Sequence, residues 1–234
     1  MNNPRISVVI PCYEMHGRGA EFLEYSFSRL VIQSFKDFEV VVTDHSKNDD
    51  IEKLCLLWKD IINVKYFRNT EKIGSSTHNI NLGMNKSQGE IIKLLFQDDY
   101  LFDICSLEII NKEFTDNINW LGTHYVHTID RVNFFNEHIP RLSPSILHNL
   151  FGTPSAFAVR NKNHILFDEN LIWVLDIDFY KRMLKIYGMP KIVNEVTMVN
   201  YLWEGQVSNT LATEELKIRE HEYIFNKFKE DKWI

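Results

Sequence analysis

Apolar residues in the first hundred positions come in short, nearly unbroken runs. ISVVI at 6–10, FEVVVT at 38–43, IINVKYF at 61–67 and IIKLLF at 91–96 are rich in β-branched residues and bounded by polar ones. Such runs read as strands buried on both faces. Between them apolar positions return at helical spacing: Phe22, Tyr25, Phe27, Leu30 and Val31 in a helix over 21–33, and a second helix over 50–60. Residues 12–20 hold two glycines and read as a loop, and 69–87 as a Gly-, Ser- and Asn-rich loop leading into a helix. Strand and helix alternating in units of roughly 25 to 35 residues predict βαβ crossovers and a parallel sheet. The strand at 6–10 is expected to stop at Pro11, which cannot donate to a ladder.

The second half has a different texture. A strand-like run at 120–129 contains His124 and His127 and precedes a polar turn and a second short strand. Ser143 with Pro144 behind it suggests a short helix over 143–150. A strand at 156–159, a segment at 167–171 and a helix over 176–187 follow, the helix carrying Phe179, Tyr180, Met183, Leu184 and Tyr187. From 214 onward the chain reads as a charged amphipathic helix with Ile218, Tyr223, Ile224 and Phe228. With no linker between the halves, the expectation is one α/β domain over 1–234.

Composition narrows the class. A hydrophobic content of 44% is ample for a core, and a net charge of -6 argues against nucleic acid as the main partner. Cys12, Cys55 and Cys105 have neither metal-ligand nor redox spacing and read as reduced thiols. The start MNNPR lacks the pattern of a signal peptide, and no run approaches the ~18 apolar residues that span a bilayer. A soluble, cytosolic protein is expected.

The candidate chemistry lies where the strands end. The run at 91–96 stops at Gln97, Asp98 and Asp99, and the run at 38–43 stops at Asp44. In an open α/β sheet the carboxyl ends of the strands form the ligand edge. Adjacent carboxylates there repel and need a cation or donors, and an oxygen-rich site of this kind suits Mg²⁺ or Mn²⁺ shared with phosphates. Helix capping by the Asp pair is the plain alternative. No GxGxxG or GxxxxGK[ST] follows a strand, so neither a dinucleotide fold nor a P-loop is indicated.

In this order the pieces resemble the family 2 glycosyltransferases of the GT-A fold. The residues that carry the likeness are VVIPCYE (8–14), VVVTDHSKNDD (40–50), GSSTHNINLGMNKSQGEIIKLLFQDD (74–99), GTPSAFAVR (152–160), FDENL (167–171) and DIDFYKR (176–182). The resemblance spans about residues 5 to 208. It implies a Rossmann-like, mostly parallel central sheet, with a nucleotide-sugar donor half over 5–100, an acceptor and catalytic half over 101–208, and a closing helix over 209–234.

The implied reaction is metal-assisted, inverting transfer of a sugar from a nucleotide-diphosphate sugar, UDP-linked by preference, to a hydroxyl acceptor such as a glycan or lipid-linked glycan. By analogy with such enzymes, the resemblance also implies a place in surface polysaccharide or glycan biosynthesis. By the same resemblance Asp99 binds Mn²⁺ or Mg²⁺ through the DXD-like motif, and Asp98 contacts the ribose or lies behind the metal. Pro11, Tyr13, Glu14 and Asp44 line the nucleotide, with Tyr13 stacking on the base and Asp44 accepting from it. Asp176 is the general base. The plain alternatives are a packed aromatic for Tyr13, a turn former for Asp44 and an N-cap for Asp176.

Glu14 and Gln97 depart from the family pattern within the donor pocket, and Leu175 stands where an acidic residue is usual. No histidine completes a metal site in YLWEGQVSN (201–209). Trp203 and Glu204 are expected on the acceptor side, and the final helix, with basic residues among its aromatics, is a candidate for peripheral membrane contact. A catalytically silent sugar-nucleotide-binding or assembly protein is the competing reading.

Overall fold

A computed structural model describes residues 3–143, 148–162 and 164–231. The first half runs β1 (Ile6–Cys12), α1 (Gly19–Val31), β2 (Phe38–Asp44), α2 (Asp50–Trp58), β3 (Val64–Arg68), α3 (Ser76–Lys86) and β4 (Ile91–Leu94). The second runs β5 (Tyr100–Leu101), α4 (Ser106–Glu113), β6 (Trp120–Thr128), β7 (Phe135–His138), β8 (Phe157–Arg160), α5 (Leu175–Tyr187), β9 (Lys191–Tyr201), α6 (Val207–Thr210) and α7 (Glu214–Phe228). These strands form one sheet in the order β3-β2-β1-β4-β8-β6-β9-β5, with β7 beside β6. β3, β2, β1 and β4 are parallel. β8 runs antiparallel to β4 and to β6, and β9 lies parallel to β6. The expected α/β architecture with a mostly parallel sheet is present.

The unbroken apolar runs follow from helices on both faces. Ile6, Val8 and Ile10 of β1 cluster with Leu23, Phe27 and Leu30 of α1 and with Leu107 and Ile110 of α4. Val9 points the other way, into a cluster with Val41, Ile92, Ile80 and Met84 of α3, Phe179 and Met183 of α5, and Ile224 and Phe228 of α7. Each such side chain, fully buried, contributes about 1.5–3 kcal/mol, which is why both faces of the central strands are apolar. A side chain at Gly83 would run into Val9, so α3 crosses β1 at close range.

Three expectations are revised. β1 continues through Pro11, which pairs with Thr43; pairing with β4 has already ended at Val9, so the missing donor falls at the edge of the ladder. Residues 61–63 form the turn out of α2, and the third strand starts only at Val64. The apolar stripe of α7 is used internally: Ile224 and Phe228 are buried, and only scattered residues such as Ile218 and Phe225 remain exposed for a membrane. No described helix is long and apolar enough to cross a bilayer. The short helix expected over 143–150 falls largely on 144–147, outside the described residues.

Asn79 of α3 holds the ends of two parallel strands in place. Its Nδ2 donates to Cys12 O at 3.1 Å and Thr43 O at 3.0 Å, and its Oδ1 accepts from Asn69 Nδ2 at 3.2 Å. Asn79→Ala leaves these buried groups unmatched, at a cost of about 2–3 kcal/mol. Thermal melting should show Tm lower by roughly 5–10 °C; an unchanged Tm contradicts the assignment.

Candidate active site

Because β1, β2 and β4 are parallel, their carboxyl ends reach one edge of the sheet. That edge receives Pro11, Tyr13 and Glu14 from β1 and the loop behind it, Asp44 from β2, and Asp98 and Asp99 just past β4. Asp99 is 1% exposed. Its Oδ1 accepts from Asn200 Nδ2 at 2.8 Å, while its Oδ2 is buried with no hydrogen-bond partner. Asp98 Oδ2 accepts from the indole of Trp203 at 2.8 Å. Trp203 thus meets the acidic pair. Burial, and then the charge of Asp98, push the Asp99 carboxyl well above the usual carboxylate range; burial also raises Asp98. Lys93, fully buried on β4, is pushed down to about 7 by burial, with the Asp99 charge opposing.

The acidic turn is fixed from two sides. Ser155 of the GTPS segment accepts the Phe96 N–H on its Oγ at 2.8 Å and the Lys93 ammonium on its carbonyl. Gln97 accepts from Tyr13 N at 3.0 Å and donates to Gly19 O at 2.8 Å. Gln97 is therefore committed to joining the loop behind β1 to the acidic turn. Among the described residues no group of three or more His, Cys, Asp or Glu could enclose a metal. Mg²⁺ needs none, since one or two carboxylates complemented by substrate phosphates suffice. The orphaned Asp99 Oδ2 beside Asp98 is the donor set such an ion fits.

Asp44 is fully buried. Its Oδ1 accepts from Ser46 N at 2.8 Å, and its Oδ2 accepts from Tyr66 Oη at 2.7 Å and lies 3.3 Å from Arg68 Nη1. This is the turn-forming geometry, and it leaves one of about four acceptor sites of the carboxylate unused. Tyr13 is half-buried, and burial with the Asp98 and Glu14 charges raises its phenol. His45 packs parallel to His78 at 6.4 Å between ring centroids.

Asp176 enters from the other half of the sheet, in the first turn of α5. Asn149 Nδ2 donates to its Oδ2 at 2.6 Å, and Ile177 N to its Oδ1 at 2.7 Å. Burial raises its carboxyl to about 7. Asp178 is fully buried and points elsewhere, 2.6 Å from both Arg182 and Lys227. Burial first, with smaller contributions from the Asp99 and Asp176 charges, pushes up the phenol of Tyr125 on β6. Gly152, at φ +96°, leaves room for that ring; any Cβ there would collide with Tyr125.

With this geometry in place, comparison with known proteins gives a direct answer: the sequence model described as "Glycosyl transferase family 2" matches residues 7–171. The chain belongs to glycosyl transferase family 2. An uncharacterized glycosyltransferase of Rickettsia typhi is 23% identical over 97% of this chain and 72% of its own length. The GalNAc(5)-diNAcBac-PP-undecaprenol beta-1,3-glucosyltransferase of Campylobacter jejuni is 31% identical over 42% of this chain and 31% of its own. In fold, S. aureus TarS 1-349 with UDP-GlcNAc covers 95% of this chain and 67% of its own at 18% identity, with TM-score 0.71. The mannosyltransferase PcManGT of Pyrobaculum calidifontis, in complex with GDP-Man and Mn²⁺, covers 87% of this chain and 59% of its own at 15% identity and TM-score 0.62.

Several residues around this glycosyltransferase site carry no signal in the sequence. Asn200 reaches Asp99 through the antiparallel β5–β9 pairing, Trp203 follows just past the end of β9, and Asn149 and Tyr125 lie in segments without a motif. Glu169 of FDENL does have one. Its carboxylate meets Lys72 at 2.5 Å, His78 at 3.1 Å and Asn81 at 3.2 Å, so it ties the loop before α3 to the second half. The Lys72 hydrogen bond leads in holding Glu169 down at about 2, against 4.5 for a free glutamate. A carboxyl lowered on folding contributes stability above its unfolded value, and that stability is lost as pH falls toward the folded value. In acid titrations followed by circular dichroism, Glu169→Gln should narrow the stability difference between pH ~5 and pH ~2.5 relative to wild type. Parallel curves for the two proteins contradict this.

Proposed function

We propose that this chain transfers a sugar from a nucleotide-diphosphate sugar, with UDP-sugars favoured, to a hydroxyl of a glycan or lipid-linked glycan in a single inverting displacement. The observation that carries the reading is the Asp98–Asp99 pair at the carboxyl end of β4, with Asp98 half-buried, Asp99 buried and one Asp99 oxygen lacking a hydrogen-bond partner. Tyr13 stacks on the base, Pro11 sets the turn beneath it, Glu14 lines the pocket, and Asp44 accepts from the base through its remaining acceptor site. Asp98 and Asp99 are the DXD-like pair, and Asp99 is the residue that would hold Mg²⁺ or Mn²⁺. When bound, the ion supplies positive charge against the diphosphate leaving group.

Asp176 takes the proton from the acceptor hydroxyl. A hydroxyl is a weak nucleophile until its proton has somewhere to go, and a base near neutral pKa suits that transfer. Burial brings Asp176 into that range at about 7. With Asp178 neutralised by Arg182 and Lys227, it cannot replace Asp176 or act as a nucleophile on the opposite sugar face. Work on glycans of the cell surface, at the cytoplasmic face of the membrane, is the setting this chemistry fits.

The test is a panel of UDP-, GDP- and dTDP-sugars assayed for slow hydrolysis with Mn²⁺ or Mg²⁺, followed by transfer. Asp176→Asn should lower turnover by roughly 10² to 10⁴ with donor Kd nearly unchanged. Asp178→Asn should affect mainly Tm. Because the base must be ionised, wild-type kcat should rise with pH and level off above about 7. Near-normal transfer by Asp176→Asn, or a product with the donor's anomeric configuration, would sink the mechanism. Tight donor binding with no turnover of any sugar would instead mark a silent binding protein.

A further inference from the structure

The final helix carries a carboxylate where its own pattern calls for an apolar residue. α7 buries Leu216, Glu220, Ile224 and Phe228, a stripe at four-residue spacing, and it lies beyond the segment matched by the family model. Glu220 is 1% exposed. Its Oε1 accepts the backbone N–H of Ile172 at 2.8 Å; its Oε2 accepts those of Trp173 at 2.8 Å and Val174 at 3.1 Å. Among the described residues no cation lies within ion-pair distance of it. Those amides belong to Val174, the N-cap of α5, and the two residues before it, and the helix dipole there favours an anion. Two residues further on is Asp176.

The rest of α7 grips the same segment. His221 meets the Trp173 ring edge-on at 5.3 Å, and Lys217 lies over it at 5.5 Å. Lys227 binds Asp178 at 2.6 Å and Asp168 at 2.6 Å. A buried carboxylate is costly unless well satisfied. A leucine at this position would extend the apolar stripe but leave three amides unmatched.

We propose that Glu220 is a positioning residue: by clamping the amides of 172–174 it sets the angle at which Asp176 leaves α5, so the last helix governs turnover while leaving donor binding alone. The inference rests on Asp176 being the base. Misplacing a catalytic group by about 1 Å can cost on the order of 10² in rate. Glu220→Gln keeps the shape and one acceptor oxygen; Glu220→Ala removes both.

The experiment measures UDP affinity by calorimetry, and kcat and KM with whichever of UDP-glucose, UDP-N-acetylglucosamine or GDP-mannose is hydrolysed. It uses wild type, both Glu220 variants, Asp176→Asn and the double variant Glu220→Gln/Asp176→Asn. Expected are kcat losses of about tenfold for Gln and about 10²-fold for Ala, UDP Kd and donor KM within twofold, and no further loss from Glu220→Gln once Asp176 is Asn. Hydrogen exchange on wild type, which needs neither a variant nor a substrate, should show the amides of 172–174 strongly protected. Full kcat in both Glu220 variants while Asp176→Asn is inactive overturns the proposal, as do losses that multiply in the double variant or rapid exchange at 172–174. A fully active Asp176→Asn refutes the base assignment itself, which is a separate result.

Discussion

The site depends on an electrostatic conflict: two neighbouring carboxylates at the end of a buried strand. Water would dissolve the problem, but burial removes water, so each charge raises the cost of the other. The surroundings relieve it only in part, through the Asn200 amide on Asp99 and the Trp203 indole on Asp98. The fully buried Lys93 lies close enough for its charge and that of Asp99 to favour each other. One Asp99 oxygen is still without a donor. A protein that wanted only a helix cap would not arrange this, because a cap needs a single carboxylate and an exposed one serves.

Much of the fold serves to keep that conflict in place. The parallel strands bring Pro11, Tyr13, Asp44 and the acidic pair to one edge, Asn79 ties β1 to β2 there, and Gln97 and Ser155 fix the turn that carries the aspartates. The other half is built from β8, β6 and β9, which extend the same sheet; Ser155 stands just before β8, and Asn200 of β9 donates to Asp99. Asp176 is tuned by burial alone, with Asn149 working against the shift. Asp98, Asp99 and Asp176 are thus all raised first by low access to water, and their hydrogen-bond partners differ.

The parallel half was legible in the sequence because strands buried on both faces leave unbroken apolar runs, and helices between them leave spacings of three and four. β9 was not, although it is the longest strand at eleven residues. Its run KIVNEVTMVNY is interrupted by Asn194 and Glu195, where the register with β6 shifts, so no clean period survives. β5 is two residues long and is made only by pairing with β9. Motif order brought out the acidic pair, Asp44 and Asp176 as candidates, but their partners are contacts between distant segments. Glu220 illustrates the limit: in sequence it is one charge in a charged helix, and only the packing of α7 against α5 makes it a buried ligand of three amides.

On the function proposed above, the Asp98–Asp99 pair is completed by a divalent cation arriving with a nucleotide diphosphate. Linkage makes it measurable, since each ligand must then raise the affinity of the other by the same factor. Calorimetric titration of UDP into the protein, with Mn²⁺ and then with EDTA, tests it most directly. UDP should bind at least tenfold tighter with Mn²⁺, a coupling of about 1.4 kcal/mol or more, and that difference should be lost in Asp99→Asn. Equal UDP affinity with and without the metal in the wild-type protein would contradict it.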